Sequence, residues 1–272
     1  MTAPARPEWR EPSFRESLTI QLRVIGALTI REVHTRFARE NIGFMWIMGE
    51  PILFAFGVIA MRSFLPFFPE EQRGMSLVGF LMTGYVPFLL YRHMMSRGIH
   101  CVRANHNVLY HRQVRIIDLF LARMILEAAG TLMAFVFGCV LFVALGVMIP
   151  PQNLMLLLAG WFYAIWFCTS FSILIGAASE ISSIIEKLYN PFSYLSLPVS
   201  GAFYMVDWLP HKWQAYALMI PIVHYFEMIR GGYFGDIVTT HYDAFYLTFV
   251  CLALTFGALT TIEVLRKRVA VS

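Results

Sequence analysis

The side chains of this sequence that are best placed for chemistry are charged groups inside long apolar stretches. Glu50 lies in the run Gly49-Glu50-Pro51, while Glu227 and Arg230 stand three positions apart in a later apolar segment. A charged side chain within a membrane-spanning segment is costly, so such residues indicate a functional site by default. Glu50 is the leading candidate, and a carboxylate that only packs one helix against its neighbour is the alternative. The spacing of Glu227 and Arg230 predicts that they form an ion pair with each other.

Sequence motifs for catalysis are missing. A Walker phosphate-binding loop needs Gly-Lys-Ser/Thr, and none of the three lysines, at positions 187, 212 and 267, follows a glycine. The sequence also contains no His-Glu-x-x-His and no Gly-x-Ser-x-Gly. Three histidines share one loop, at positions 100, 106 and 111, without the spacing of a helical metal-ligand pair. We therefore predict that the chain is not an enzyme and that it holds no metal.

The composition is that of an integral membrane protein. Of the 272 residues, 58% are hydrophobic and 14% are charged, whereas soluble domains are about 25% charged. Three of the four cysteines lie in apolar runs, and Cys101 lies in a polar loop. We expect all four to behave as small hydrophobic residues and not as a disulfide framework.

The apolar runs predict an all-α integral membrane protein with six transmembrane helices. The predicted spans cover residues 43–65, 75–91, 119–149, 154–178, 188–206 and 244–265. Residues 209–232 are interrupted at Pro221 and are too short to cross a bilayer whose hydrocarbon core is about 30 Å thick. We therefore expect a re-entrant helical hairpin before the last span. Ahead of the first span, apolar residues at helical spacing with arginines between them predict an amphipathic interface helix over residues 14–37.

The basic residues predict the orientation of the chain in the membrane. With six spans both termini share one side, which collects the seven arginines before residue 42, five in the loop 92–115 and the ending Arg266-Lys267-Arg268. Because arginine and lysine are in excess on the cytoplasmic side of membrane proteins, both termini are expected there. The predicted organisation is a cytoplasmic segment over residues 1–42, a transmembrane domain over residues 43–265 and a cytoplasmic tail over residues 266–272.

Aromatic residues and a polar loop supply two further candidates. A group of aromatic residues lies at the end of the predicted fifth span and just after it: Phe203, Tyr204, Trp208, Trp213 and Tyr216. Anchoring at the membrane interface is their commoner role, and stacking on the C–H faces of sugar rings is the functional alternative. The loop over residues 92–118 contains a candidate short helix at residues 102–111. This loop is expected to be either a docking element for a cytoplasmic partner or a solvated loop that binds anionic lipid head groups.

Two signatures in the sequence resemble those of a known family. The first comprises Arg31-Glu32-Val33-His34-Thr35-Arg36, Asn41-Ile42-Gly43-Phe44-Met45-Trp46 and Glu50-Pro51. The second comprises Ser200-Gly201-Ala202-Phe203-Tyr204, Leu209-Pro210, Pro221-Ile222-Val223-His224, Glu227 and Arg230-Gly231-Gly232. Both are similar to the signatures of ABC-2 type permeases, above all the capsular polysaccharide export class, with O-antigen and teichoic acid exporters as relatives. The chain departs from the family at Ile220-Pro221, where relatives often carry Asn before Pro, so a different cap is expected on the outer hairpin.

This resemblance implies a permease subunit in the inner membrane of a Gram-negative bacterium. Such permeases work as homodimers, and each copy binds a separate ABC ATPase subunit. ATP and Mg²⁺ are therefore expected on two copies of that partner, and no cofactor is expected on this chain. The expected substrate is a lipid-linked capsular polysaccharide that passes between the two permeases, with a periplasmic polysaccharide copolymerase or adaptor as a further partner and no nucleic acid. Export of O-antigen or another glycan, and a membrane-bound glycan-modifying enzyme, are the alternatives.

The resemblance also implies three groups of site residues. Coupling to the ATPase subunit is expected of the polar residues between the second and third spans: Arg97, Arg103, Asn105, Arg112 and Arg115. The substrate entrance is expected at residues near the first span: Arg31, Arg36, Arg39, Trp46 and Glu50. The translocation path and outer gate are expected at aromatic and buried polar residues: Tyr85, Tyr194, Phe203, Tyr204, Trp208, His224, Glu227 and Arg230.

Overall fold

The computed structural model describes residues 13–37, 49–50, 52–54, 56–57, 75–105, 108 and 114–269. Every regular element in these residues is a helix. Residues 49–50, 52–54 and 56–57 are also helical. The helices are α1 (Phe14–Phe37), α2 (Leu77–Ile99), α3 (Cys101–Ala104), α4 (Ile116–Ala144), α5 (Leu154–Ile181), α6 (Ser183–Val199), α7 (His211–Ala217), α8 (Pro221–Phe234) and α9 (Ala244–Val269). Two 3₁₀ turns, Val206–Trp208 and Gly235–Ile237, lie in the connections before α7 and after α8.

Three of the described helices are long and apolar enough to cross a membrane: α4, α5 and α9. The mean hydropathy of their most apolar windows is 2.1, 1.7 and 1.9. Since a helix rises about 1.5 Å per residue, even the 26 residues of α9, the shortest of the three, exceed the hydrocarbon core of about 30 Å. These helices correspond to the predicted third, fourth and sixth spans, and α4 begins and ends a few residues earlier than predicted.

The remaining spans of the six-helix prediction correspond less closely to the described helices. The predicted second span ended at residue 91, but α2 continues to Ile99 as one helix. The predicted fifth span began at residue 188, but α6 begins at Ser183 and ends at Val199. Most of the predicted first span, residues 43–65, lies outside the described residues. The count of six spans therefore stays a prediction.

The core of the bundle is built around α5, which packs against α2, α8 and α9. Small residues allow the helices to approach closely, as is usual in membranes, where hydrophobic exclusion does not drive helix association. At the crossing of α2 and α5, a Cβ atom on Gly176 would lie 2.5 Å from the carbonyl oxygen of Gly98. Only glycine fits at this crossing, so the backbones of α2 and α5 are in direct contact.

Helix α8 is the most completely buried element of the fold. Every residue from Val223 to Phe234 is buried, although five of these residues are one His, one Glu, one Arg and two Tyr. Pro221 occupies the first turn, where its missing N–H costs no intrahelical hydrogen bond. The 14 residues of α8 extend for about 21 Å, less than the thickness of the hydrocarbon core.

The two ends of the bundle differ in chemistry. At one end, which we call the arginine-rich end, α1 and α3 pack against the start of α4 and the ends of α5 and α9 through buried apolar residues such as Leu28, Phe120 and Ile262. At the opposite end, the turn before α5 meets the end of α8. There the backbone N–H of Asn153 donates to the carbonyl of Gly232 at 2.8 Å.

Helix α1 has the boundaries that the sequence predicted, and it packs against α4. It contacts α4 through Leu28, through a hydrogen bond from Gln21 to Asp118 (2.9 Å) and through an ion pair between Glu32 and Arg123 (3.0 Å). Of the apolar residues of α1, Leu28 is buried, whereas Phe14, Leu18 and Leu22 are exposed in this chain. Polar contacts therefore determine which side of α1 faces α4.

Candidate functional site

Arg230 lies completely buried in the middle of α8, and its guanidinium group binds the backbone of the connection that follows α6. It donates to the carbonyls of Gly201 (2.7 Å), Ala202 (2.6 Å) and Tyr204 (2.5 Å). The same group lies 4.2 Å from the centre of the Phe80 ring on α2. A planar cation with several donors suits such a site better than an ammonium group does. Arg230 therefore fixes residues 201–204 to both α8 and α2.

Glu227 and His224 stand one and two turns before Arg230 and also bind backbone groups. The Glu227 carboxylate accepts hydrogen bonds from the N–H groups of Val206 (3.1 Å) and His241 (3.0 Å). The Nδ1 atom of His224 accepts one from the N–H of Asp243 (2.9 Å). The expected ion pair between Glu227 and Arg230 is replaced by these separate bonds to the backbone.

The three polar residues of α8 therefore hold the connections on either side of this helix. Because they are buried and their bonds go to backbone groups, the structure does not place them on an exposed path. Each hydrogen bond pairs a backbone group that, if buried without a partner, would lower the stability of the fold. Their assignment to the translocation path and outer gate stays a prediction.

The aromatic residues assigned to the path do not form one surface. Tyr85 on α2 stacks on Phe54 with ring centres 4.0 Å apart, and Phe203 lies 6.4 Å from the same Phe54 ring. Trp208 is half-exposed and packs on Phe80 at 5.0 Å. The other two lie apart from this group.

Those two aromatic residues have separate surroundings. Tyr194, on α6, is largely exposed and has the guanidinium group of Arg92 5.6 Å from its ring centre. The hydroxyl group of Tyr204 donates to the carbonyl of Val199 at 3.0 Å. Of these five aromatic residues, Tyr85 and Phe203 share a patch with Phe54 in the described part of the chain.

Glu50 belongs to a chain of polar contacts between three helical segments. The Tyr85 hydroxyl donates weakly to its carboxylate at 3.5 Å, and His93 Nε2 lies 3.8 Å from it. On the other side of His93, the carboxylate of Glu127 on α4 lies 4.0 Å from His93 Nδ1. The same carboxylate forms an ion pair with Arg97 at 3.3 Å. These contacts support the packing alternative for Glu50, because they join residues 49–50 to α2 and α4.

The residues assigned to coupling are already engaged inside the chain. Arg103 forms ion pairs with Glu186 (2.6 Å) and Glu180 (3.5 Å). Asn105 is buried, accepts a hydrogen bond from Arg31 and donates to the carbonyl of Cys101 at 3.0 Å.

The remaining residues of the coupling and entrance groups are described to different extents. Arg115 is exposed just before α4, where its backbone N–H donates to Asp118 (3.0 Å). Arg36 lies in α1 at a position where the side chain is not described. Arg39, Trp46 and Arg112 lie outside the described residues.

Sequence reasoning missed the glutamates that complete the arginine-rich end. Arg123 and Glu127 stand four positions apart on α4, yet Arg123 pairs with Glu32 of α1 and Glu127 pairs with Arg97 of α2. Glu180 and Glu186 were not singled out either. The signal available was their position on either side of Ser182-Ser183, at the end of an apolar run that leads to the basic side.

Carboxylates that an enzyme could use have structural partners here. Asp207 lies 3.7 Å from His241, and Asp243 caps α9 by accepting from the N–H groups of Phe245 (2.9 Å) and Tyr246 (3.0 Å). In the described part of the chain, no group of three or more His, Cys, Asp or Glu residues is arranged to hold a metal ion.

Together, the fold and these sites define a helical membrane protein whose buried charges fix its connections. The model of the family described as ABC-2 type transporter matches residues 23–234, and this chain belongs to that family. CtrC of Neisseria meningitidis serogroup B, a capsule polysaccharide export inner-membrane protein, is 37% identical over 94% of this chain and 96% of its own. BexB of Haemophilus influenzae, a protein of the same description, is 35% identical over 93% and 95%. KpsM of Escherichia coli, a polysialic acid transport protein, is 24% identical over 88% and 95%.

Cys101 allows a test of packing at the arginine-rich end. Sequence placed Cys101 in a polar loop, but it begins α3 and is fully buried. Burial raises the pKa of the Cys101 thiol to about 12, so the reactive thiolate is scarce at neutral pH. We expect a maleimide at pH 7.5 to leave Cys101 unmodified in the folded protein and to modify it after denaturation, as read by mass spectrometry. A K187C variant, at an exposed position of α6, supplies the positive control; rapid labelling of Cys101 in folded protein would contradict this packing.

Proposed function

We propose that this chain is the permease subunit of an ABC transporter that exports a lipid-linked capsular polysaccharide across the bacterial inner membrane. ATP and Mg²⁺ are bound by a separate subunit. The observation that carries the proposal is the nearly full-length similarity, at 35–37% identity, to proteins named as capsule polysaccharide export inner-membrane proteins. The missing Walker motif in the sequence agrees with an ATPase on another polypeptide.

The proposed architecture has six spans, two cytoplasmic termini and a re-entrant hairpin made of α7 and α8. The length of α8 supports the hairpin, because about 21 Å of buried helix cannot cross the hydrocarbon core alone. Arginines gather at one end of the bundle, where α1, α3 and the start of α4 meet, and this supports a cytoplasmic location for that end. Two copies of the chain and two ATPase subunits complete the proposed transporter, and a periplasmic polysaccharide copolymerase or adaptor is a further proposed partner.

In the proposed mechanism, the ATPase contacts the connection between α2 and α4, and the bundle changes shape when the two ATPase subunits close. The arginines near α1 provide charge-assisted hydrogen bonds for the anionic phosphate or acidic sugars of the substrate at the cytoplasmic side. Exposed aromatic rings such as Tyr194 and Phe203 offer apolar faces for sugar rings. Many weak contacts of this kind suit a polymer that must keep moving.

A complementation experiment tests the function. The gene is deleted in its own host and restored on a plasmid, and surface polysaccharide is quantified on intact cells. We expect deletion to abolish surface polysaccharide and to leave polymer inside the cell. Restoration of the gene should reverse both changes. A separate ABC ATPase should co-purify with the tagged chain in mild detergent. Unchanged surface polysaccharide in the deletion strain would overturn the proposal.

A further inference from the structure

Helix α6 exposes most of its length and is attached near its beginning. Five large apolar residues along it are between 49% and 69% exposed: Ile184, Leu188, Phe192, Leu195 and Val199. Its polar contacts with other helices concentrate in the first turns, where Glu186 meets α3 and the Tyr189 hydroxyl donates to the carbonyl of Arg92 at 3.0 Å. The connection after α6 is held by Arg230, so movement of the start of α6 changes the tilt of a helix that is lightly packed along its length, at low cost.

A single residue separates α6 from α5. This residue is Ser182. Its extended conformation (φ −142°, ψ 116°) interrupts the helical hydrogen-bond pattern between α5 and α6. Hinges in helical proteins are commonly a few residues at the ends of elements, because such residues absorb a change of backbone angle. The geometry therefore allows α6 to rotate about Ser182 while α5 stays in the core.

Arg103 bridges this break from outside. It lies on the short helix α3, and its guanidinium group reaches both sides of the hinge: Glu186 on α6 at 2.6 Å and Glu180 on α5 at 3.5 Å. His100, just before α3, lies 3.8 Å from Glu186 and adds to the same cluster. A planar fork can bind two carboxylates at once in a fixed arrangement, which lysine cannot reproduce.

The partial exposure of these groups argues for a positional role. Arg103 is 48% exposed and Glu186 is 31% exposed, and ion pairs that water can reach contribute little to stability. We therefore expect the bundle to keep its other contacts when this cluster is broken. The main effect of the cluster is then to fix the angle of α6 relative to α3.

We propose that Arg103 is a positioning residue that transmits movement of α3 to α6. Glu186 is the moving contact and Glu180 is the contact on the static side of the hinge at Ser182. When α3 is displaced, Arg103 shifts the start of α6 relative to α5, and α6 tilts. This inference rests on the proposed function, in which the ATPase subunit contacts the connection between α2 and α4.

The test compares charge variants in the deletion strain, with surface polysaccharide as the readout. We expect R103E to lower surface polysaccharide about tenfold, the equivalent of a coupling free energy near 1.4 kcal/mol. The amounts of chain in the membrane and of co-purifying ATPase should stay at the wild-type level. ATP hydrolysis by the purified complex should continue, so that transport and hydrolysis separate. K187E is the matched control, because Lys187 is the exposed neighbour of Glu186 and undergoes the same change of charge.

Reversal of the pair distinguishes a specific contact from general damage. In an E180Q background, which removes the third charge, R103E should again abolish most export, and adding E186R should restore it. R103K should retain part of the export, because one ammonium group cannot hold both carboxylates in the same geometry. If the wild-type gene restores surface polysaccharide but R103E behaves like K187E, or if E186R restores nothing, the inference is overturned. If the wild-type gene itself restores nothing, the proposed function fails instead.

Discussion

Replacement of Arg230 by alanine should lower the free energy of unfolding by about 3–5 kcal/mol, because it leaves three backbone carbonyls without a donor at about 1–3 kcal/mol each. It also removes the cation that lies 4.2 Å from the Phe80 ring. The connection of residues 201–204 would then be free to leave α8 and α2. We expect a fall of about 10 °C in the apparent Tm in detergent, little protein in the membrane and loss of surface polysaccharide.

The control for this experiment is R266A, since Arg266 is 75% exposed and pairs only with Glu263 of its own helix at 3.5 Å. Its effect should stay within about 0.5 kcal/mol. R230K tests the geometry, because it keeps the charge and loses the fork that reaches three carbonyls. If R230A melts like the wild-type protein, Arg230 does not hold the connection after α6.

The sequence predicted α1, α4, α5 and α9 well because hydropathy and length are local properties. The boundaries of α1 were predicted from the spacing of its apolar residues, and the cores of α4, α5 and α9 followed from their apolar length. The gathering of arginines at one end was visible for the same reason. The buried face of α1 could not be read from the sequence, because Gln21 and Glu32 select their partners on α4.

The partners of the buried charges could not be predicted from the sequence. A spacing of three residues placed Glu227 and Arg230 on one helix face, and a local rule pairs such residues. The structure supplies stronger partners, since the connections around residues 201–206 and 241–243 bring unpaired backbone groups to the buried face of α8. Only the tertiary fold brings these backbone groups together.

The family signatures identified where the site residues cluster but not what each one contacts. Arg103 was assigned to the ATPase subunit because it lies between two spans, and the structure adds two glutamates, one at the end of α5 and one on α6. Such partners are more than seventy positions away in sequence, so neither composition nor periodicity indicates them. A contact inside the chain and a role in coupling are compatible, since a transmitted movement needs both.

Substitution of Gly84 by alanine should also loosen the connection that follows α6, through a steric effect. An added Cβ atom would lie 2.1 Å from the carbonyl oxygen of Ala202 and 2.8 Å from Nη2 of Arg230. The carbonyl belongs to the backbone, so it can move only if the connection moves and the bonds to Arg230 lengthen. We expect a loss of about 2–3 kcal/mol, since overpacking costs about 1–3 kcal/mol and the broken bonds add to it, with a corresponding fall in Tm.

The control is G257A on α9, where an added Cβ atom finds only Leu174 at 3.7 Å, an ordinary contact distance. There alanine should be neutral or stabilise the helix by about 0.5–1 kcal/mol. The double variant G84A/R230A gives the sharpest result. If Gly84 matters because it allows Ala202 to reach Arg230, G84A should cost at least about 1 kcal/mol less once Arg230 is gone. Strict additivity of the two losses would mean that Gly84 and Arg230 act on different parts of the fold, and the shared role of the connection would have to be abandoned.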